Sequence, residues 1–154
     1  MIVTAALCWW NERPEDLTAC IEALDGIADR IVALDGAYAR YPRATRRSLP
    51  SNGRAIRLAA KRIGIESVVL RPADRLWAGQ VEKRSVLLAE AARESDWVLM
   101  LDADHILHGD GAAVREVLAT TPHDVVATIF HTPEDPERTM KESAAGVWHA
   151  EQAA

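Results

Sequence analysis

Trp97-Val98-Leu99-Met100-Leu101-Asp102-Ala103-Asp104 is five apolar residues in a row, delivered straight into two carboxylates. A run of that length without polar alternation suits a strand covered on both faces, as in a parallel sheet with helices packed on each side. Ile31-Val32-Ala33-Leu34, ending in Asp35, has the same form. Working outward, strands are expected at about Ile2–Cys8, Arg30–Asp35, Ser67–Leu70, Trp97–Leu101 and Asp124–Phe130. Between them apolar residues recur at helical spacing: Leu17, Ile21 and Leu24; Ile56, Ala60 and Ile63; Val81, Ser85, Leu88 and Ala92; Val114, Val117 and Leu118. Pro14 suits a first helical turn, Gly26 and Gly64 suit helix ends, and Pro122 suits a stop. Strands alternating with amphipathic helices predict an α/β fold, an open and mostly parallel sheet with helices on both faces.

Composition bounds the rest. The 154 residues are 49 % apolar and 27 % charged, an ordinary folded composition matched to a single domain over 1–154. No apolar stretch approaches the roughly 18 residues a membrane helix needs. The run from Ile2 to Trp10 has neither a basic lead nor a small-residue cleavage site, so it reads as a strand and not as a signal peptide. Cys8 and Cys20 have no zinc or disulfide spacing and point to a reducing cytoplasm. A net charge of -5 gives no bulk reason to bind nucleic acid or an anionic membrane. Arg40, Arg43, Arg46 and Arg47, with Arg54 and Arg57 beyond, nevertheless make a basic loop, read here as a solvated one.

In open parallel sheets ligands bind beyond the carboxyl ends of the strands. Polar groups stand there in three places: Asn11 and Glu12, Asp35, and Asp102, Asp104 and His105. Spacing alone does not single out Asp102/Asp104, since about three acidic i, i+2 pairs are expected by chance at this composition, and three occur, with Glu94/Asp96 and Asp135/Glu137 as the others. Position does single it out. Two carboxylates on one side of a strand end repel each other, and a hard divalent cation, Mn²⁺ or Mg²⁺, relieves that while taking further oxygens from a substrate phosphate. The bland alternative is a helix cap beside a solvated acid.

The ordered set Trp10-Asn11-Glu12, Ile31 to Gly36, Gly79 to Lys83-Arg84-Ser85, and Trp97 to Asp104 resembles the GT-A glycosyltransferases, especially glycosyltransferase family 2, over roughly Ile2 to Ile106. The resemblance implies a Rossmann-like nucleotide-sugar-binding part over 1–106 and an abbreviated acceptor-side part over 107–154. It implies a metal-dependent, inverting transfer from a nucleoside-diphosphate sugar, with uracil as the expected base, to an unknown acceptor. Asp35 would then meet uracil or ribose, Asp102 the ribose or metal, Asp104 the metal, and Lys83 and Arg84 the nucleotide or its diphosphate. Trp10, Asn11 and Glu12 would complete the donor site, with Trp10 as a wall for the base. His149 is the natural third metal ligand, His131 the next. Ser85 departs from the family, where Asn is commoner. An inverting transfer needs a carboxylate base, and Glu134, Asp135, Glu137, Glu142 and Glu151 are unranked candidates. A homo-oligomer would complete the short acceptor side. The alternative is a non-catalytic nucleotide-sugar-binding or protein-interaction module on the same fold. A haloacid-dehalogenase-like enzyme or a receiver domain would carry its acidic residues after the first strand, and a dinucleotide-binding domain would carry Gly-x-Gly-x-x-Gly where Trp9-Trp10-Asn11 stands.

Overall fold

The computed structural model describes residues 1–70, 74–129 and 144–149, with 127–129 and 144–149 described as backbone alone. Six strands and four helices follow in the order β1 (Val3–Cys8), α1 (Pro14–Glu22), β2 (Arg30–Leu34), α2 (Pro50–Arg62), β3 (Glu66–Leu70), α3 (Gln80–Ala92), β4 (Trp97–Asp102), α4 (Gly111–Thr120), β5 (Val125–Ile129) and β6 (Ala144–His149). They form one sheet in the order β3-β2-β1-β4-β6-β5. Strands β3, β2, β1 and β4 are mutually parallel. β6 runs antiparallel between β4 and β5.

The expected open α/β sheet is therefore present, and its five anticipated strands fall within a residue or so of their places. One strand was not anticipated. β6 comes from the C-terminal stretch, where the short run Ala144-Ala145-Gly146-Val147-Trp148 stands between polar residues, and it takes the place beside β4 that the parallel pattern would have given to β5.

Side-chain alternation explains why the central strands read as unbroken apolar runs. Val3, Ala5 and Leu7 of β1 and Trp97, Leu99 and Leu101 of β4 point into one core with Leu17 and Ile21 of α1, Ile56 of α2 and Leu118 of α4. Ala6 and Cys8, with Val98 and Met100, point the other way, against Leu87 and Ala91 of α3. Each buried Leu, Ile or Val side chain contributes about 1.5–3 kcal/mol. Pro14 and Pro50 each open a helix, where a missing N–H is harmless. Asp110 caps α4 by accepting from the Ala112 N–H. No helix among the described residues is long and apolar enough to cross a membrane.

Candidate functional site

At the carboxyl ends of β1, β2 and β4 lies a pocket of about 550 Å³. The β1–α1 turn contributes Trp10, Asn11 and Glu12 to it, α3 contributes Gln80 and Lys83, and the end of β4 contributes Asp102 and Asp104. The segment after β2 adds Tyr38 and Tyr41.

Two loops are stitched together to make one wall. The Asp35 carboxylate accepts from its neighbour's Gly36 N–H (2.7 Å), the Ser48 N–H (2.8 Å) and the Ser48 hydroxyl (2.5 Å). The same Ser48 Oγ accepts from the Asn11 N–H at 2.8 Å, and Asn11 Oδ1 accepts from the Leu49 N–H at 3.3 Å. Asn11 has φ 52°, a left-handed conformation that asparagine tolerates well. Asn52, 1 % exposed, donates to the Glu12 carbonyl. Trp77 pins the far side, its indole N–H donating to the Asp35 carbonyl at 3.0 Å. A Cβ at Gly36 would stand 2.8 Å from that indole nitrogen, and its φ of +111° also excludes ordinary side chains.

Asp35 is thus a loop organiser, buried to 7 % exposure, whose carboxylate bonds Gly36 and Ser48. Asn11 shares that work through both its backbone and its side chain. Trp9 sits in the core at 4 % exposure, whereas Trp10 stands at the pocket, its indole N–H donating to Thr45 Oγ1 (2.9 Å) and its ring edge-on to Tyr41 with centroids 5.2 Å apart.

The two adjacent cations separate sharply. Lys83 is 2 % exposed and donates to the carbonyls of Trp9 (2.7 Å) and Gly36 (2.8 Å), with Tyr38 beneath it at 5.6 Å. Burial pushes its pKa down, against the pull of the neighbouring Cys8, Asp35, Asp102 and Glu12. Arg84 instead forms an ion pair with Asp102, at 2.5 Å. Burial works against its charge, and Asp102 outweighs burial. With its amide oxygen turned inward, Gln80 also accepts from Arg84 Nη2 at 2.7 Å.

Asp104 leaves 82 % of its side chain exposed. The Glu12 carboxyl is pushed up by burial first and then by the charges of Asp104 and Asp16. His105 accepts the Asp102 N–H on Nδ1 at 3.2 Å and lies 3.9 Å from Asp104, steadying the turn that presents both acids. Glu12, Asp102 and Asp104 offer hard oxygen donors of the kind Mg²⁺ or Mn²⁺ takes, with Asp102 already partly neutralised by Arg84. Among the described residues no three His, Cys, Asp or Glu side chains are gathered closely enough to cage an ion, so a bound phosphate would have to complete its shell.

His149 is not brought to this set. It pairs with Trp97 across β4 and β6, at the end of β4 away from Asp102. Five residues of strand, about 16 Å, separate those two ends. His131 and the candidate bases Glu134, Asp135, Glu137, Glu142 and Glu151 lie outside the described residues. Tyr38, Tyr41 and Gln80 went unnoticed in the sequence. The strand-end rule could have found the two tyrosines, which follow β2 closely but are embedded in an arginine-rich stretch.

No protein-family model matches the chain, and no curated protein matches it. Solved structures do. The 4-diphosphocytidyl-2C-methyl-D-erythritol synthase of Anaerococcus prevotii aligns over 98 % of this chain and 72 % of its own, with TM-score 0.59 and 8 % identity. The bifunctional IspDF of Campylobacter jejuni aligns over 98 % and 42 %, with TM-score 0.51 and 11 % identity. A nucleotidyl transferase of Methanothermobacter gives 0.49 at 12 % identity over 99 % and 73 %. The first two likenesses define the class of fold alone, a Rossmann-like open α/β sheet.

They also overturn the resemblance to glycosyltransferase family 2 and the GT-A assignment with it, because the neighbours are IspD-like nucleotidyltransferases. The physical reason is that short polar motifs at successive strand ends are what any parallel sheet with a nucleotide crevice carries, so their order is less specific than it looks. The open α/β sheet stands.

Proposed function

We propose that this chain is a metal-dependent nucleotidyltransferase, joining a nucleoside monophosphate from a nucleoside triphosphate to an acceptor oxygen. The observation that carries the reading is the pocket itself: an aromatic wall, a buried lysine and an acidic rim meet at the carboxyl ends of a sheet whose solved neighbours include a synthase of a diphosphocytidyl product. In such a transfer the acceptor oxygen attacks the α-phosphorus, the bond to the β-phosphate oxygen breaks, and pyrophosphate leaves with the electron pair.

Each residue has a part that its environment supports. Trp10 and Tyr41 offer faces against which a base stacks. Lys83 holds the Trp9 and Gly36 carbonyls together and adds positive potential beneath the phosphates. Arg84, poised between Asp102 and Gln80, is placed to take up charge on the departing pyrophosphate. Asp102 and Asp104, with Glu12 near them, would hold the divalent cation, which neutralises phosphate charge when bound. Cys8 and Cys20, both free and buried, suit a cytoplasmic setting.

A second reading keeps the pocket and drops the turnover. The pairing of Asp102 with Arg84, and the absence among the described residues of a three-ligand metal cage, favour a module that binds nucleotide without transfer. Isothermal calorimetry with CTP, UTP, ATP and GTP, with and without Mn²⁺, tests both. At least one triphosphate is expected to bind only with metal, and Asp104→Asn is expected to weaken it about tenfold, or 1.4 kcal/mol. No metal-dependent binding, or binding indifferent to Asp104→Asn, would sink the transferase reading, and no triphosphate binding under any condition would sink both. Pyrophosphate release on addition of candidate acceptors separates them.

A further inference from the structure

We infer that the segment after β2 and the exposed side of α2 form a binding surface for a single nucleic-acid strand. The inference starts from charge distribution. Residues 36–65 hold eight of the chain's 18 lysines and arginines and none of its 23 aspartates and glutamates. An acidic protein has gathered its cations into one run of chain.

What the structure adds is that six of these charges, all arginines, have no carboxylate partner among the described residues, whereas Arg62 pairs with Glu22 at 3.0 Å. Each of the other seven described arginines, Arg62 included, is held by a carboxylate, from Arg13 on Asp16 to Arg115 on Asp29. None of Arg40, Arg43, Arg46, Arg47, Arg54 and Arg57 makes such a pair among the described residues, and all six are exposed. Among the described residues only Arg46 of the six makes a hydrogen bond, to the Asp74 carbonyl at 2.7 Å. Arg54, Arg57 and Lys61 recur at i, i+3 and i+7 along α2, a stripe about 10 Å long on one side of the helix.

Arg43 adds an independent sign. It has φ 57°, within a turn closed by the Ala44 N–H on the Tyr41 carbonyl at 3.2 Å. Glycine or asparagine would relieve that left-handed position, and arginine holds it at a cost of about 1 kcal/mol.

The chemistry selects the partner. Six unpaired guanidiniums spread over a loop and two helical turns exceed what one small phosphate engages, since a single guanidinium already bonds a phosphate bidentately. Seven of the eight cations are arginine, which also stacks on bases. Tyr41, 56 % exposed beside the same arginines, offers a stacking face to an unpaired strand. Being bonded into the pocket wall through Thr45 and Ser48, the loop is not free to bury itself in a bilayer. The surface begins at the pocket mouth, and a strand end lying there as the acceptor of the transfer would rest on the reading above; the binding surface itself does not.

Fluorescence anisotropy with a fluorescein-labelled oligo(dT) of about 20 nucleotides, long enough for one such surface, tests it. We expect binding whose logarithm falls with log salt at a slope near -4, the value for about six neutralised phosphates on a single strand. The combined variant Arg40→Gln, Arg47→Gln, Arg54→Gln and Arg57→Gln should bind at least about tenfold more weakly with a slope nearer -1. Arg43→Gly alone should weaken binding about threefold while raising the melting temperature, a pairing that damage to the fold would not produce. Asp104→Asn should bind the oligonucleotide normally, and the four-fold variant should bind triphosphate normally, so that failure of this surface and failure of the pocket are read separately. The inference is overturned by no oligonucleotide binding at low salt, by binding that the glutamine variants and Arg43→Gly leave unchanged, or by capture only of phosphatidylserine vesicles or of inorganic pyrophosphate.

Discussion

Lys83 shows how much one residue's environment decides. On the sequence it is one of two neighbouring cations on a helix, and periodicity does not say which turns inward. In the fold it is an ammonium at 2 % exposure whose two carbonyl partners come from the turn after β1 and the turn after β2. Lys83→Met keeps most of the side chain and strands both carbonyls in a buried place, at about 1–3 kcal/mol each. Relief of the buried charge offsets part of this, so a net loss of about 2–4 kcal/mol is expected in urea denaturation. An unchanged midpoint would show that the ammonium bonds contribute nothing net. Asp35 teaches the same lesson from the other sign: an acid beside Gly36 at a strand end looks like a ligand group in sequence, yet its three accepted bonds all serve the loop.

At the scale of elements, Asp29 joins the start of β1 to α4. Its carboxylate accepts from the Val3 N–H at 2.8 Å and from Arg115 at 2.9 Å, while Arg115 also donates to the Ile27 and Met1 carbonyls. Burial pulls the carboxyl up, and the Val3 N–H, Arg115 and the N-terminal ammonium outweigh it, leaving it below its ordinary 3.8. A depressed carboxyl contributes stability that is complete above the unfolded pKa and disappears as pH falls through the folded one. The wild-type chain should therefore exceed Asp29→Asn in melting temperature at pH 6, and the gap should close below pH 3.8. A gap that persists unchanged in acid would mean that Asp29 acts by packing alone. The strands and helices were legible because apolar run length and 3.6-residue spacing are local properties. β6 was not, since its run of small residues ending in Val147 and Trp148 is short and weakly β-forming, and its antiparallel place beside β4 is supplied by the sheet.

For the whole molecule, the four parallel strands with both faces covered predict a gradient of local stability. Ala5, Ala6 and Leu7 lie on β1 between β2 and β4 and are fully buried, whereas Val125 on the edge strand β5 is 46 % exposed. Hydrogen exchange of the β1 amides should need global unfolding, and that of β5 should proceed through local opening at rates many-fold faster. Equal protection in the two strands would count against a sheet centred on β1.

The sequence by itself determined the sheet's class, five of its strands, the strand-end positions of the acidic pair, and the clustering of cations after β2. These follow from run length, periodicity and composition, which neighbours in the chain specify without help. Only the tertiary structure decided that Lys83 is a buried strut and Arg84 the partner of Asp102, that Asp35 and Asn11 hold a wall, that Tyr38 and Tyr41 complete it, and that His149 stands at the far end of β4. Those facts depend on which side chains meet across residues far apart in sequence, and contact at that range is set by packing and by the need of every buried polar group for a partner.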